Sequence, residues 1–207
     1  MSVWTTPPRF PVGVVGHAAL IVLVTGCQAR PGRVVAPPLD PAAVAAALVA
    51  RVDTDKSGGL STPELAAAPG LLRVAAAIDV NADGELSADE CAARIGQWQA
   101  LRVGRVACSF VVTRAGRPLA NVNVELVPEP EFSVLPTAKG RTDASGRVTP
   151  VATGDLPGVA PGPYRVVVGP PQSPTSATGA SSSAGLLVAP DDPGLMSLVV
   201  EVGPQRP

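Results

Sequence analysis

Two twelve-residue segments, 53–64 and 79–90, place oxygen-bearing side chains at the same spacing. The first reads DTDKSGGLSTPE and the second reads DVNADGELSADE. Both have such side chains at positions 1, 3, 5, 9 and 12, and both have glycine at position 6. A loop that turns sharply at a glycine and gathers oxygens at these positions suits a hard divalent cation. This repeat constrains the fold more than any other feature, because each loop must be held between two ordered elements.

A helix is predicted before the first loop. Asp40 is a suitable N-cap, and Pro41 suits the first helical position. Val44, Leu48 and Val52 then recur every four residues, which places them on one helical face. This helix leads directly into the first loop.

Capping boxes predict a helix after each loop. Ser61 with Glu64, and Ser87 with Glu90, have the S-x-x-E spacing that satisfies free amides at a helix N-terminus. The organisation is therefore helix–loop–helix, twice. The predicted boundaries are an end of the second helix at Pro69-Gly70, a third helix over 71–78 and a fourth helix to about Val103, before Gly104.

Both loops resemble the calcium loops of EF-hand proteins, and the resemblance covers residues 40–104. It implies two Ca²⁺ sites, in which position 7 offers its backbone carbonyl and position 9 often acts through water. The alternatives are a degenerate pair that folds without metal, or acidic turns exposed to solvent. The implied ligands are Asp53, Asp55, Ser57, Gly59, Ser61 and Glu64 in the first loop, and Asp79, Asn81, Asp83, Glu85, Ser87 and Glu90 in the second.

Carboxylates in a loop repel one another when no cation neutralises them, so calcium is expected to stabilise this helical unit. The stability of the rest of the chain is expected to change little. The second loop is expected to bind more tightly. Lys56 reduces the charge of the first loop from −3 to −2, whereas Glu85 and Asp89 increase that of the second from −3 to −5.

The N-terminal residues predict an export signal. Arg9 precedes an apolar run over 11–24, which is shorter than the roughly 20 residues that span a membrane. The run ends in Val24-Thr25-Gly26-Cys27, which resembles the lipobox of bacterial lipoproteins. A plain secretory signal with an incidental cysteine is the alternative.

The lipobox resemblance implies that residues 1–26 are a signal peptide and that Cys27 carries lipid. The exported protein would then be anchored to the cell membrane. Aspartate directly after the cysteine would resemble a signal for retention in the inner membrane. This chain has Gln28 there, which favours location in the outer membrane where a cell has two membranes. Residues 27–39 are rich in proline and predict a tether between the lipid and the folded chain.

After Gly104 apolar and polar residues alternate, which predicts β-strands. Several short strands with Gly, Pro and Asp between them predict a small β-sandwich. Together with the helices, they predict an α+β fold. The predicted strands are 105–113, 121–128, 162–169 and 197–202, and short strands flank a turn at 143–146.

Three segments of this region resemble the carboxypeptidase regulatory-like, or transthyretin-like, domains. They are AGRPLANVNVELVPE, GRTDASGRVTP and GVAPGPYRVVV. The resemblance implies an Ig-like sandwich over 105–203 with a structural or adhesive role and no catalysis. A low-complexity insertion at about 170–185 is expected to be a disordered loop.

Composition argues against several functions. The one histidine, His17, lies in the segment expected to be removed, so the mature chain would lack a near-neutral base of the usual kind. A net charge of −1 gives no electrostatic case for nucleic acid. Cys91 and Cys108 could form a disulfide in an exported protein or remain as two buried thiols.

These observations predict a calcium-binding, lipid-anchored protein of the cell envelope that is not an enzyme. Its partners would be the membrane, through the lipid on Cys27, and no nucleic acid. The alternative is an interaction module, adhesive or accessory, that docks an envelope protein or a glycan.

Overall fold

Helices occupy the first part of the described chain and most strands occupy the second, which confirms the α+β class. The computed structural model describes residues 34–152, 157–169 and 184–203. The first part contains α1 (Pro41–Val52), β1 (Gly59–Ser61), α2 (Thr62–Leu65), α3 (Pro69–Leu72), α4 (Ala75–Ile78), β2 (Glu85–Ser87) and α5 (Ala88–Ala100).

The helix starts follow the predicted caps. Asp40 Oδ1 accepts hydrogen bonds of 3.1 Å from the amides of Ala42 and Ala43, and Pro41 is the first residue of α1. The capping boxes Ser61–Glu64 and Ser87–Glu90 form at α2 and α5. Local hydrogen bonding thus determines where the helices around both loops begin.

Three predicted helix boundaries differ from the structure. Pro69-Gly70 begins α3 rather than ending a helix, because proline is tolerated at the first helical position. The predicted third helix over 71–78 is divided between α3 and α4. The last long helix, α5, ends at Ala100, short of the predicted Val103.

The strands of the second part form two sheets. The five-stranded sheet is antiparallel and has the order β10–β9–β5–β6–β8. In the other sheet β3 pairs with β11, β4 and β7, and the β3–β11 pairing is parallel. The strands are β3 (Phe110–Arg114), β4 (Arg117–Pro118), β5 (Asn123–Pro128), β6 (Ala138–Arg141), β7 (Arg147–Val148), β8 (Val151–Ala152), β9 (Gly162–Gly169), β10 (Gly185–Val188) and β11 (Leu198–Glu201).

The predicted strands match the structure unevenly. The segment 162–169 is β9 in full, whereas the strand predicted over 105–113 begins only at Phe110. Strand β10 was not predicted, and its first residue, Gly185, lies within the predicted insertion. Residues 170–183 of that insertion lie outside the described residues.

Buried side chains form two clusters. The smaller cluster lies among the helices and contains Leu48, Leu60 and Leu86. The larger cluster joins residues of both sheets, such as Phe110 and Val166, to Ile95 and Trp98 of α5. The helices therefore share a core with the sheets, and the described residues belong to one compact unit that starts at Arg33.

Helix α3 lies directly against the five-stranded sheet. A Cβ on Gly70 would lie 2.7 Å from the backbone nitrogen of Tyr164 and 2.9 Å from Pro163 Cβ. A Cβ on Gly185 would collide with the backbone of Pro69. Glycine is required at both positions, because the two backbones approach too closely for any side chain.

The last residues of the predicted tether are packed against the folded unit. The Val34 carbonyl lies over Gly104, where a Cβ would collide with it. The Leu39 carbonyl accepts a hydrogen bond from the Gln99 side chain of α5, and Leu39 packs on the larger core cluster. The predicted signal peptide over 1–26, the predicted lipobox and Cys27 lie outside the described residues.

Cys91 and Cys108 are both free and buried, so the disulfide considered above is not formed. Burial raises the pKa of the Cys91 thiol to about 11 and that of Cys108 to about 12. Among the described residues, no helix combines the length and the apolar character needed to cross a membrane.

Candidate metal centre

The first predicted loop, residues 53–64 (loop 1), folds around its first carboxylate. Asp53 follows the last residue of α1, and its Oδ1 and Oδ2 accept the amides of Lys56 at 2.6 Å and Gly58 at 2.9 Å. Asp55 Oδ1 accepts the amide of Ser57 at 2.9 Å. Lys56 and Gly58 have positive φ angles of 63° and 90°. These contacts wrap the backbone tightly around the side-chain oxygens.

The second predicted loop, residues 79–90 (loop 2), repeats this geometry. Asp79 Oδ2 accepts the amide of Gly84 at 2.9 Å, as Asp53 does from Gly58. Asn81 Oδ1 accepts the amide of Asp83 at 3.0 Å. Ala82 and Gly84 have φ angles of 59° and 89°, at the same loop positions as the positive φ angles of loop 1. Two separate segments thus adopt the same turn.

The glutamate at position 12 closes each loop. Glu64 Oε1 accepts the amide of Thr54 at 2.7 Å, and Oε2 accepts the amide and hydroxyl of Ser61 at 2.9 and 2.7 Å. Glu90 makes the matching contacts with Val80, at 2.8 Å, and with Ser87, at 3.0 and 2.8 Å. Each glutamate therefore joins the start of its loop to the end.

These hydrogen bonds favour the ionised form of both glutamates. The Ser61 hydroxyl and amide, with the Thr54 amide, lower the pKa of Glu64 from 4.5 to about 2. The Ser87 amide and hydroxyl, with further loop amides, lower the pKa of Glu90 by the same amount. Both side chains are thus anionic at neutral pH, as cation ligands must be.

The acids of loop 1 converge most closely. One ligand atom from each of Asp53, Asp55 and Glu64 lies within 4.8 Å of the others. In the part of the chain that the structure describes, no other group of three acidic, histidine or cysteine side chains has this spacing. A cation among these carboxylates would offset their mutual repulsion.

Loop 2 has asparagine at position 3, where loop 1 has an acid. Asn81 Nδ2 donates a hydrogen bond of 2.8 Å to Asp83 Oδ2. Asp79 Oδ1, by contrast, is buried and has no hydrogen-bond partner. A buried carboxylate oxygen without a partner is costly, and a cation bound at this position would satisfy it. The oxygen donors of both loops therefore fit a hard cation such as Ca²⁺.

Strands β1 and β2 place the two loops side by side. They are antiparallel, with Leu60 opposite Leu86 and Ser61 opposite Glu85. Leu60 and Leu86 are both buried in the helical cluster. In loop 1 the hydroxyl of Ser57 donates to the Gly59 carbonyl over 3.2 Å, so these two predicted ligands are also in contact.

An ionic cluster that was not predicted connects α1, the helix before loop 1, to strand β9. Arg51, two residues before Asp53, donates from Nε to Glu131 Oε1 and from Nη2 to Glu131 Oε2, the latter over 3.1 Å. Its Nη2 is also 3.9 Å from Glu129 Oε2, and Arg165 Nε of β9 is 3.4 Å from the same oxygen. This cluster contacts the helix that leads into loop 1.

Glu129 is fully buried, and burial raises its pKa against the opposing effects of Arg165, the Gly70 amide and Arg51. Its Oε1 accepts the Gly70 amide at 3.4 Å, whereas its Oε2 has no hydrogen-bond partner despite the nearby arginines. Glu129 therefore contacts helices and sheet together. It lies between prolines at the end of β5, and nothing in the local sequence predicts its burial.

A second ionic contact connects the helix after loop 2 to the sheets. Arg94 of α5 donates from Nη1 and Nη2 to the two oxygens of Asp191, over 2.7 and 2.9 Å. Its guanidinium also lies 5.5 Å from the centroid of the Trp98 ring. This paired contact therefore joins α5 to Asp191, which follows β10.

No protein-family model, curated protein sequence or solved structure matches this chain.

Proposed function

We propose that this chain binds two calcium ions, one in loop 1 and one in loop 2, and that these ions stabilise its fold. Residues 40–104 then serve as an EF-hand pair, and the protein has no catalytic role. The observation that carries the proposal is the matched hydrogen bonding of the two loops around inward oxygens, with Asp79 Oδ1 buried and unpartnered. Calcium is favoured because the donors are all oxygens, and because Ca²⁺ accepts irregular coordination geometry more readily than Mg²⁺ does.

The proposed role of the ions is structural. An ion that binds only the folded state at 100 times its Kd raises the free energy of unfolding by about 2.7 kcal/mol. Because α5 follows loop 2 and contributes Ile95 and Trp98 to the core of the sheets, the gain extends to the sheets. This revises the expectation from sequence that the sheets would be little changed.

Residues 105–203 are proposed to be an Ig-like, transthyretin-like β-sandwich of the carboxypeptidase regulatory-like kind. Two observations support this assignment. Buried side chains of both sheets belong to one cluster. The buried Tyr164 hydroxyl donates a hydrogen bond of 3.0 Å to the carbonyl of Ala160, four residues upstream, much like the tyrosine corner of Ig-type sandwiches.

The protein is proposed to be exported and anchored by lipid on Cys27. The support is the sequence of residues 11–27, which lie outside the described residues. The predicted cell-envelope location also suits the proposed calcium sites. Extracellular modules typically bind calcium with Kd values of about 10⁻⁴–10⁻³ M, so moderate affinity would be sufficient there.

Thermal unfolding with and without calcium tests the proposed function. The chain starting at Gln28 should melt at a higher temperature in millimolar Ca²⁺ than in chelator, with a smaller rise in Mg²⁺. A variant with both Glu64→Gln and Glu90→Gln is the matched control and should melt at the same temperature in all three conditions. A wild-type melting temperature that does not respond to chelator would contradict the proposal.

An interaction module remains the second candidate, and the open edge of the β11–β3–β4 sheet favours it. Among the strands that the structure describes, β11 pairs with β3 alone, and its Val199 is 58 % exposed. Met196, three residues earlier, is 55 % exposed. An envelope protein could add a strand at this edge. If so, Val199→Lys should abolish cross-linking of this chain to the envelope protein in membranes. It should leave the calcium-dependent rise in melting temperature unchanged.

A further inference from the structure

The carboxylate of Glu85, which belongs to loop 2, lies over the backbone of loop 1. A Cβ on Gly59 would collide with Glu85 Oε2 and would lie 3.0 Å from Glu85 Cβ and 3.3 Å from Glu85 Cδ. Gly59 does not have a positive φ angle. The space beside Gly59 is therefore filled by the carboxylate end of the Glu85 side chain, and a side chain at residue 59 would displace it.

This placement results from the pairing of the two short strands. Gly59 pairs with Ser87, and Ser61 pairs with Glu85, so Glu85 lies diagonally across the ladder from Gly59. Both are at position 7 of their loops, where the proposed ligand is the backbone carbonyl. The side chain of Glu85 is therefore not needed by its own loop and extends toward the neighbouring one.

We propose that Glu85 supplies negative charge to the ion of loop 1 and so raises the calcium affinity of that site from the neighbouring loop. This inference rests on the proposed function. It corrects the charge count made from sequence, in which Glu85 was assigned to loop 2. With Glu85 beside loop 1, its charge offsets that of Lys56, and the expected advantage of loop 2 becomes smaller.

The size of the effect follows from the charge and its distance. In a high dielectric and at low salt, where screening is weak, a unit charge about 8 Å from a divalent ion changes the affinity by about three- to fivefold, so the calcium titration is made at low salt. Glu85 acts on the ion through space. The isosteric substitution Glu85→Gln should therefore lose this gain in affinity, while the backbone carbonyl of residue 85 stays available to loop 2.

Titration calorimetry with Ca²⁺ on the chain from Gln28 tests the proposal. Glu90→Gln disables loop 2, so that the remaining heat reports loop 1. Adding Glu85→Gln should weaken this event by about three- to fivefold. The matched control is Asp89→Asn, which also removes one charge of loop 2. It should weaken calcium binding by loop 1 less than twofold. Circular dichroism in chelator checks folding, and Glu85→Ala is the second charge-removing variant.

A double-mutant cycle tests the contact itself. Gly59→Ala should displace the Glu85 carboxylate and weaken loop 1, and this loss should be smaller when residue 85 is already glutamine. If Glu85→Gln and Asp89→Asn weakened calcium binding by loop 1 equally while the wild-type chain still bound calcium, the role assigned to Glu85 would be overturned and the proposed function would stand. No calcium binding by the wild-type chain would overturn both this inference and the proposed function.

Discussion

Replacing Gly70 with alanine is predicted to destabilise the chain, because α3 packs directly on β9 at this residue. The added methyl group would meet the Tyr164 backbone nitrogen at 2.7 Å, the Tyr164 carbonyl at 3.0 Å and Pro163 Cβ at 2.9 Å. Two of these are backbone atoms of the interior strand β9, which cannot rotate away. Overpacking of this kind costs about 1–3 kcal/mol. Urea unfolding followed by circular dichroism measures the loss.

Gly96→Ala is the matched control, because a Cβ on Gly96, within α5, has no atom within 4 Å. Alanine is better than glycine inside a helix by about 0.5–1 kcal/mol, so this variant should be slightly more stable than wild type. The two alanine variants should therefore differ by about 1.5–4 kcal/mol. Equal stability of Gly70→Ala and wild type would refute the close packing of α3 on β9.

Three further predictions concern the anchor and the ionisable groups. Cys27→Ala should leave an unprocessed or soluble product, and absence of radiolabelled fatty acid on the wild-type protein would rule out the lipid anchor. Burial raises the folded-state pKa of Glu129 above 4.5, so its contribution to stability is full below pH 4.5 and is lost as pH rises through the folded pKa. The stability of wild type relative to Glu129→Gln, measured by urea unfolding, should therefore increase as pH falls from 8 to 5; an unchanged difference would contradict this. Glu64 and Glu90 have lowered pKa values, so in chelator their contribution is present above pH 4.5 and is lost as pH falls toward 2. Acid unfolding should then begin at a higher pH when both are glutamine, because the stabilising charges are already absent.

The sequence predicted the loops well because their structure is local. The caps at Asp40, Ser61 and Ser87 involve residues two or three positions away, and the loop turns involve amides within five positions. Because the partners in such contacts are only a few residues apart, the spacing of residue types along the sequence predicts them. Strand β9 was also predicted in full, because a run of valines bounded by Gly162 and Gly169 is typical of a strand.

The packing of helices on sheets could not be predicted in the same way. Gly70 reads as a helix stop in sequence, yet it lies inside α3 because the backbone of Tyr164 passes over it. Gly185 reads as part of a polar insertion, yet it begins an edge strand against Pro69. Glu129 reads as a surface acid. Each outcome depends on a partner far along the chain, which a local pattern does not contain.

The charge of loop 2 illustrates the same limit at the candidate site. Counting acids along the sequence assigned Glu85 to the loop that contains it. The antiparallel register of β1 and β2 instead directs its carboxylate toward Gly59. Charge counts made from sequence therefore identify candidate sites but do not rank them when two loops are paired.

Counting the bound ions tests the central claim most directly. Native mass spectrometry of the chain from Gln28, sprayed from calcium-containing buffer, should give two Ca²⁺ ions per chain. Glu64→Gln and Glu90→Gln should each give one ion, and the double variant should give none. A wild-type chain that carries no specifically bound calcium, or that matches the double variant, would contradict the account.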